Sequence, residues 1–154
     1  MNFIELEEIN LVGLSLGKKT TNENGQSAID CGTLWQKFQE GHYIEKIPGK
    51  SDDNILAVYH QYEGDHTRPF SYFIGCKVKA GTPVPEGMDN LVIPRGSYQI
   101  IVASGKMPGC IADTWKEIWK SDISRAYQAD FEVYGEKSRN WNDAELEIFI
   151  SINQ

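Results

Sequence analysis

The segment DFEVYGEK, residues 130–137, places an acid between two apolar side chains in what has the pattern of a short strand. Side chains alternate between the two faces of a strand, so Phe131 and Val133 share one face while Glu132 and Tyr134 share the other. A carboxylate beside a tyrosine hydroxyl could bind a cation, and with a raised pKa it could act as a general acid. The alternative is that Glu132 lies on the solvent-exposed side of a sheet.

Other chemistry finds little support among the motifs of the sequence. The cysteines Cys31, Cys76 and Cys110 are far apart and form no CxxC pair, and the histidines lack metal-ligand spacing, so we predict no metal site. The sequence contains no GxSxG, no HExxH and no phosphate-binding glycine loop. We therefore predict no catalytic residue and no cofactor.

Composition and charge narrow the classes of partner. The chain has 154 residues and a net charge of −7, and its longest basic cluster is Lys18-Lys19, so direct nucleic-acid binding is disfavoured. No apolar run approaches the roughly 20 residues that span a bilayer. The first residues include Glu5, Glu7 and Glu8 where a secretory signal would be basic. We expect a cytoplasmic protein that does not bind membranes.

The predicted elements occur in the same order twice. The first set is a strand within residues 3–17, a helix from Ser27 to near Gly41, and strands at 55–62 and 70–78. A Pro- and Gly-rich segment, residues 80–90, is the predicted connector. The second set is a strand at 98–105, a helix containing residues 111–119, and strands at 130–135 and 144–152.

The two halves also resemble each other in sequence, although short apolar patterns can match by chance. LWQKF (34–38) corresponds to TWKEIW (114–119), and LAVY (56–59) corresponds to FEVY (131–134). We predict one domain, residues 1–154, built from βαββ pseudo-repeats at about 1–79 and 91–154. Its fold class is α+β, an antiparallel sheet with two helices on one face. We expect a ligand cleft at the junction of the halves, on the face opposite the helices.

Several segments together resemble a known family, the GyrI-like or effector-binding domain of AraC-type and multidrug-sensing bacterial transcription activators. They are VYHQYEGD, FSYFIGCKV, PEGMDNLVIPRGSYQIIVASG, TWKEIW and DFEVYGE, which span about Asn54 to Glu136 in the family's order. The resemblance implies a duplicated βαββ fold with an aromatic pocket in which an acid pairs with lipophilic cations. Glu132 matches that acid. The other ligand-binding residues that the resemblance implies are Tyr59, Tyr134, Trp115, Tyr72 and Trp35.

The resemblance leaves more than one function open. The two halves use essentially the whole chain, so we expect a stand-alone protein that binds a lipophilic, cationic, drug-like molecule rather than a DNA-binding activator. Some stand-alone relatives hydrolyse strained cyclopropane-bearing toxins, which makes an enzyme the less favoured alternative. Others bind DNA gyrase, so gyrase or a separate transcription regulator is a further alternative as a partner. Exposed strand edges also allow a homodimer.

Overall fold

Residues 2–153 are described by a computed structural model. In this part of the chain the helices are α1 (Gln26–Glu40), the short α2 (Tyr43–Lys46) and α3 (Gly109–Lys120). The strands are β1 (Asn2–Leu6), β2 (Ile9–Ser15), β3 (Ile55–His60), β4 (Ser71–Val78), β5 (Asp89–Ile93), β6 (Gly96–Gly105), β7 (Ala129–Tyr134) and β8 (Ala144–Ser151). None of the helices in this part of the chain has the length and hydropathy of a membrane span.

All of these strands join one antiparallel sheet in the order β1-β6-β8-β7-β3-β4-β2-β5. The predicted α+β fold class is confirmed. The order is symmetric about the β3–β7 pair, since β7, β8 and β6 follow on one side as β3, β4 and β2 do on the other. The outermost strands are exchanged, with β1 beside β6 and β5 beside β2. This symmetry supports our proposal that the two halves are pseudo-repeats.

Both long helices pack on the same face of the sheet. The apolar stripe of α1 buries Leu34 and Phe38 in a core cluster with Ala57, and the stripe of α3 buries Trp115 and Ile118 in a second cluster. These residues recur at three- and four-residue spacing, which puts them on one side of each helix. The helix prediction from apolar spacing is therefore confirmed.

The opposite face of the sheet is filled by its own core. Phe131 stacks on Phe149 with 4.7 Å between ring centroids, and Tyr98 contacts both rings. Val58 and Phe73, from β3 and β4, are completely buried in the same cluster. The prediction that the ligand cleft lies on this face is wrong, because curling of the sheet brings its apolar side chains into contact with one another.

Two glycines allow β2 and β4 to approach closely. Gly13 and Gly75 are register partners, and a Cβ atom at either position would overlap the backbone of the other strand. A glycine inside a strand often marks such an approach, because it has no side chain to separate the two backbones.

Candidate functional site

Glu132 lies in the middle of the sheet, on the face that the helices cover. Its register partners are Ala57 on β3 and Ile148 on β8, and its side chain is only 1% exposed. The alternation predicted for residues 130–134 is correct, since Phe131 packs in the opposite core. The alternative of a solvent-exposed acid is wrong, because α3 and the neighbouring strands cover this position.

Three neutral donors bind the Glu132 carboxylate. The Tyr134 hydroxyl donates to Oε1 at 2.5 Å, and the Tyr59 hydroxyl donates to Oε2 at 2.8 Å. The indole Nε1–H of Trp115 also donates to Oε2, at 2.6 Å. Among the described residues, no lysine, arginine or histidine forms an ion pair with Glu132. Within the described residues, the charged form of Glu132 is therefore stabilised by these three hydrogen bonds and by no ion pair.

Burial governs the titration of this group of side chains. Removal from water raises the pKa of Glu132 above its ordinary value, and the hydrogen bonds from Tyr134, Trp115 and Tyr59 offset only part of the rise. Burial and the nearby Glu132 charge also raise the pKa values of Tyr59 and Tyr134 well above 10.0. Both tyrosines consequently remain hydroxyl donors at neutral pH.

Aromatic rings from both halves surround the carboxylate in a nearly symmetric arrangement. Trp35 on α1 contacts Tyr134 with 4.9 Å between centroids, and Trp115 on α3 contacts Tyr59 at 5.0 Å. Tyr72 lies 5.0 Å from Tyr59 and accepts a hydrogen bond from Nε1 of Trp35 at 2.8 Å. The structure thus brings all the predicted site residues together, and their role in binding a ligand stays a prediction.

These side chains border a cavity of about 1410 Å³ between the two long helices and the sheet. Besides the predicted residues, its wall includes the apolar side chains of Ile44, Ile55, Phe70, Ile111 and Trp119. A large apolar cavity with a few convergent polar groups is the usual form of a small-molecule site. The cavity lies at the junction of the halves, as predicted, but on the helix side of the sheet.

A second buried carboxylate, Asp130, lies on the same face of β7 and was missed by sequence reasoning. Its Oδ2 accepts from Arg125 Nη2 at 2.7 Å and from the Tyr62 hydroxyl at 2.6 Å, and its Oδ1 accepts from the Ser151 backbone N–H at 2.7 Å. The spacing of Asp130 and Glu132 could have indicated a shared face. Nothing in the sequence indicated Arg125, which lies in an irregular segment before β7.

The two acids of β7 differ in their counter-ions. Asp130 is completely buried and has Arg125 as an ion-pair partner, with 5% of the arginine side chain exposed. Glu132 is buried to nearly the same extent, and the part of the chain that the structure describes gives it no ion-pair partner. A buried charge is costly unless it is paired, so Glu132 is the group at which a cation or a proton would be most strongly stabilised.

Cys31 also borders the cavity, from α1. Burial raises the pKa of its thiol, and the charges of Glu132 and Asp30 raise it further. The thiolate is the nucleophilic form of cysteine, so this side chain is a neutral part of the wall rather than a reactive group.

Comparison with known proteins gives the family. The model of the family described as Cass2, integron-associated effector binding protein, matches residues 3–152. The chain therefore belongs to this family of effector-binding proteins, and the predicted resemblance is confirmed. Partners, including gyrase, a transcription regulator or a second copy of the chain, stay predictions.

Individual proteins and solved structures are similar to this chain. The integron cassette protein VCH_CASS2, from the mobile metagenome of Vibrio cholerae, is 25% identical with a TM-score of 0.70, over 99% of this chain and 95% of that one. SAV2435, in a structure bound to tetraphenylphosphonium, has the same fold at 18% identity with a TM-score of 0.79, over 99% of this chain and 93% of that one. YobU of Bacillus subtilis (strain 168), named as a candidate transcriptional regulator, is 25% identical over 108 residues, 68% of each chain.

Proposed function

We propose that the protein binds a lipophilic organic cation in the cavity, with Glu132 as the counter-ion. The observation that carries the proposal is the 1% exposed carboxylate that has hydrogen-bond donors but, within residues 2–153, no cationic partner. Asp130, two residues away, already has such a partner in Arg125. A bound cation would supply the missing counter-charge and recover part of the desolvation free energy of Glu132.

The aromatic wall supports the same ligand class. Rings of Tyr59, Tyr134 and Trp115 surround the carboxylate, and their negative faces attract cations by about 0.5–2 kcal/mol for each contact. Apolar side chains elsewhere in the cavity favour a ligand with a large hydrocarbon surface. The structure of SAV2435 with tetraphenylphosphonium, a lipophilic cation, is consistent with this proposal for the shared fold.

Titration of intrinsic tryptophan fluorescence with tetraphenylphosphonium tests the proposal, because Trp35 and Trp115 border the cavity. We expect Glu132→Gln to weaken binding about 30-fold or more, since loss of one partner of a buried charge pair costs roughly 2 kcal/mol or more. Glu136→Gln, which removes an exposed acid close by in the chain, is the matched control and should bind as the wild type does. Equal affinities of Glu132→Gln and wild type would overturn the electrostatic role.

A neutral ligand distinguishes loss of ionic attraction to Glu132 from a change in the shape of the cavity. Triphenylphosphine oxide offers similar rings without a net charge, so it should bind the wild type more weakly than tetraphenylphosphonium does. Its affinity should not fall on Glu132→Gln, because it has no ionic attraction to lose and the Gln amide can donate to its phosphoryl oxygen. A drop equal to that of the cation would mean that the substitution acts by disrupting the cavity.

Hydrolysis of a strained electrophile is the second candidate function. It is favoured by one observation, the burial of Glu132 beside the Tyr134 and Tyr59 hydroxyls. Because burial raises the pKa of this acid, it would hold a proton for transfer. Incubation with a cyclopropane-bearing electrophile, followed by mass spectrometry, tests it. Tight binding without any product would exclude hydrolysis of that compound and favour simple sequestration.

A further inference from the structure

A second polar group, the guanidinium of Arg125, borders the cavity. Its side chain is 5% exposed, and Nη2 donates to Asp130 at 2.7 Å. The Nε and Nη1 atoms are buried and have no hydrogen-bond partner among the described residues. Buried donors are satisfied in the great majority of native structures, so two unpaired N–H groups at a cavity wall call for an acceptor.

The aromatic environment links this guanidinium to the acid site. Its Cζ lies 4.3 Å from the ring centroid of Tyr127, 5.8 Å from that of Trp115 and 5.9 Å from that of Tyr62. Trp115 is shared, because its Nε1–H donates to Glu132 while its ring lies beside Arg125. A negative and a positive group therefore border one indole from different sides.

The two charges select different parts of a ligand. A cationic group is attracted to Glu132, which has no ion-pair partner among the described residues, whereas the charge of Arg125 is already balanced by Asp130. A carboxylate or carbonyl oxygen near Arg125 could accept from Nε or Nη1, the two donors that Asp130 leaves without an acceptor among the described residues. The Tyr62 and Tyr127 rings lie against the guanidinium. We therefore expect one of these two side chains to rotate when a ligand acceptor binds Nε or Nη1.

We propose that Arg125 forms an acceptor-binding subsite, and that the ligand of this cavity is an amphoteric aromatic compound. Its cationic group would lie toward Glu132 and its carboxylate or carbonyl oxygen toward Arg125. The inference rests on the proposed function, because it takes Glu132 as the cation site. It adds the chemical class of the ligand and a residue, Arg125, that determines specificity.

A matched pair of dyes tests the subsite. Tetramethylrosamine is a cation without an acidic group, and its derivative with a carboxylate at the para position of the pendant phenyl ring differs only by that group. We expect the wild type to bind the carboxylate derivative about 10-fold more tightly, the affinity equivalent of one hydrogen bond to a charged group. Fluorescence anisotropy of each dye gives both dissociation constants.

Variants assign the preference to Arg125. The double variant Arg125→Met/Asp130→Asn removes the ion pair as a unit, so that no buried aspartate is left without a partner. It should lose the 10-fold preference and keep its affinity for tetramethylrosamine. Arg125→Lys keeps the charge but loses the planar donors, and should lower the preference. Lys120→Met, an exposed cation on the same helix as Trp115, is the control and should keep it.

The outcomes separate the two proposals. If the wild type binds tetramethylrosamine but binds the carboxylate derivative equally or more weakly, the acceptor subsite is wrong and the cation site stands. The same conclusion follows if the preference persists in the double variant with a native circular dichroism spectrum. If neither dye binds, the proposed function fails, and the inference about Arg125 fails with it.

Discussion

Removal of the Tyr134 hydroxyl should destabilise the protein in a pH-dependent way. Among the described residues, Tyr134 is the sole side-chain donor to Oε1 of Glu132, whereas Oε2 accepts from both Tyr59 and Trp115. Tyr134→Phe therefore leaves one carboxylate oxygen without a donor, and Tyr59→Phe does not. The second substitution is a matched control, because it removes the same atom from the same kind of side chain.

The size of the effect follows from the charge of the acceptor. A hydrogen bond to a charged group contributes about 1.5–3 kcal/mol to the free energy of unfolding, and one between neutral groups contributes about 0.5–1.5 kcal/mol. Above the pKa of Glu132 we expect Tyr134→Phe to lower the free energy of unfolding by about 2–3 kcal/mol. Tyr59→Phe should lower it by about 1 kcal/mol, since Trp115 continues to donate to the same oxygen.

The direction of the pH dependence follows from the raised pKa. Burial gives Glu132 in the native protein a pKa above the ordinary value of 4.5. The protonated acid therefore contributes its full stabilisation of the fold below pH 4.5. This contribution to the free energy of unfolding is lost as the pH rises through the native pKa. Tyr134→Phe removes a hydrogen bond that lowers the pKa of Glu132, so the native pKa is higher in the variant. As the pH increases, the variant therefore loses more of its free energy of unfolding than the wild type does. The difference in the free energy of unfolding between Tyr134→Phe and the wild type should thus be about 1 kcal/mol at low pH and increase toward neutral pH.

Urea unfolding, followed by tryptophan fluorescence below pH 4.5 and near pH 8, measures these free energies. Carbon-13 NMR of the Glu132 carboxyl group gives its pKa in each variant directly. The reasoning is refuted if Tyr134→Phe has the same effect at both pH values. It is also refuted if Tyr59→Phe destabilises as much as Tyr134→Phe at the higher pH.

Three other predictions follow from the site and the sheet. Binding of tetraphenylphosphonium should strengthen as the pH rises through the raised pKa of Glu132, because the acid becomes charged. In Glu132→Gln the affinity should be independent of pH. Fluorescence titrations at several pH values measure both. Trp115→Phe should weaken cation binding about 10-fold, because it replaces the best cation–π ring and removes a hydrogen bond that lowers the pKa of Glu132. Trp35→Phe should have a smaller effect in the same assay, because Nε1 of Trp35 bonds Tyr72 instead. Gly13→Ala should lower the free energy of unfolding by about 3 kcal/mol or more, because its Cβ would overlap the backbone of β4. Gly32→Ala in α1 is the control, because its Cβ would enter open space, and it should leave the protein equally or more stable. Urea unfolding measures both free energies.

Much of the site could be predicted because it depends on local periodicity. Alternation along β7 places Phe131 and Glu132 on opposite faces whatever the rest of the chain does. The helical spacing of Trp35 and Trp115 likewise puts each on the buried side of its helix. Similarity between LAVY and FEVY further indicated that Ala57 is the counterpart of Glu132, and in the sheet the two are direct partners.

Long-range packing decided what the patterns could not. Tyr59 reaches Glu132 across 73 positions of sequence, and that contact depends on the pairing of β3 with β7. The side of the sheet that holds the cavity depends on curling, which closes the other face around Phe131. The Arg125–Asp130 pair joins an irregular segment to a strand, and no periodic pattern marks such a contact. The sequence by itself determined which side chains share a face. The tertiary structure decided which of the two acids has a counter-ion within residues 2–153, because burial and pairing depend on every element that packs around them.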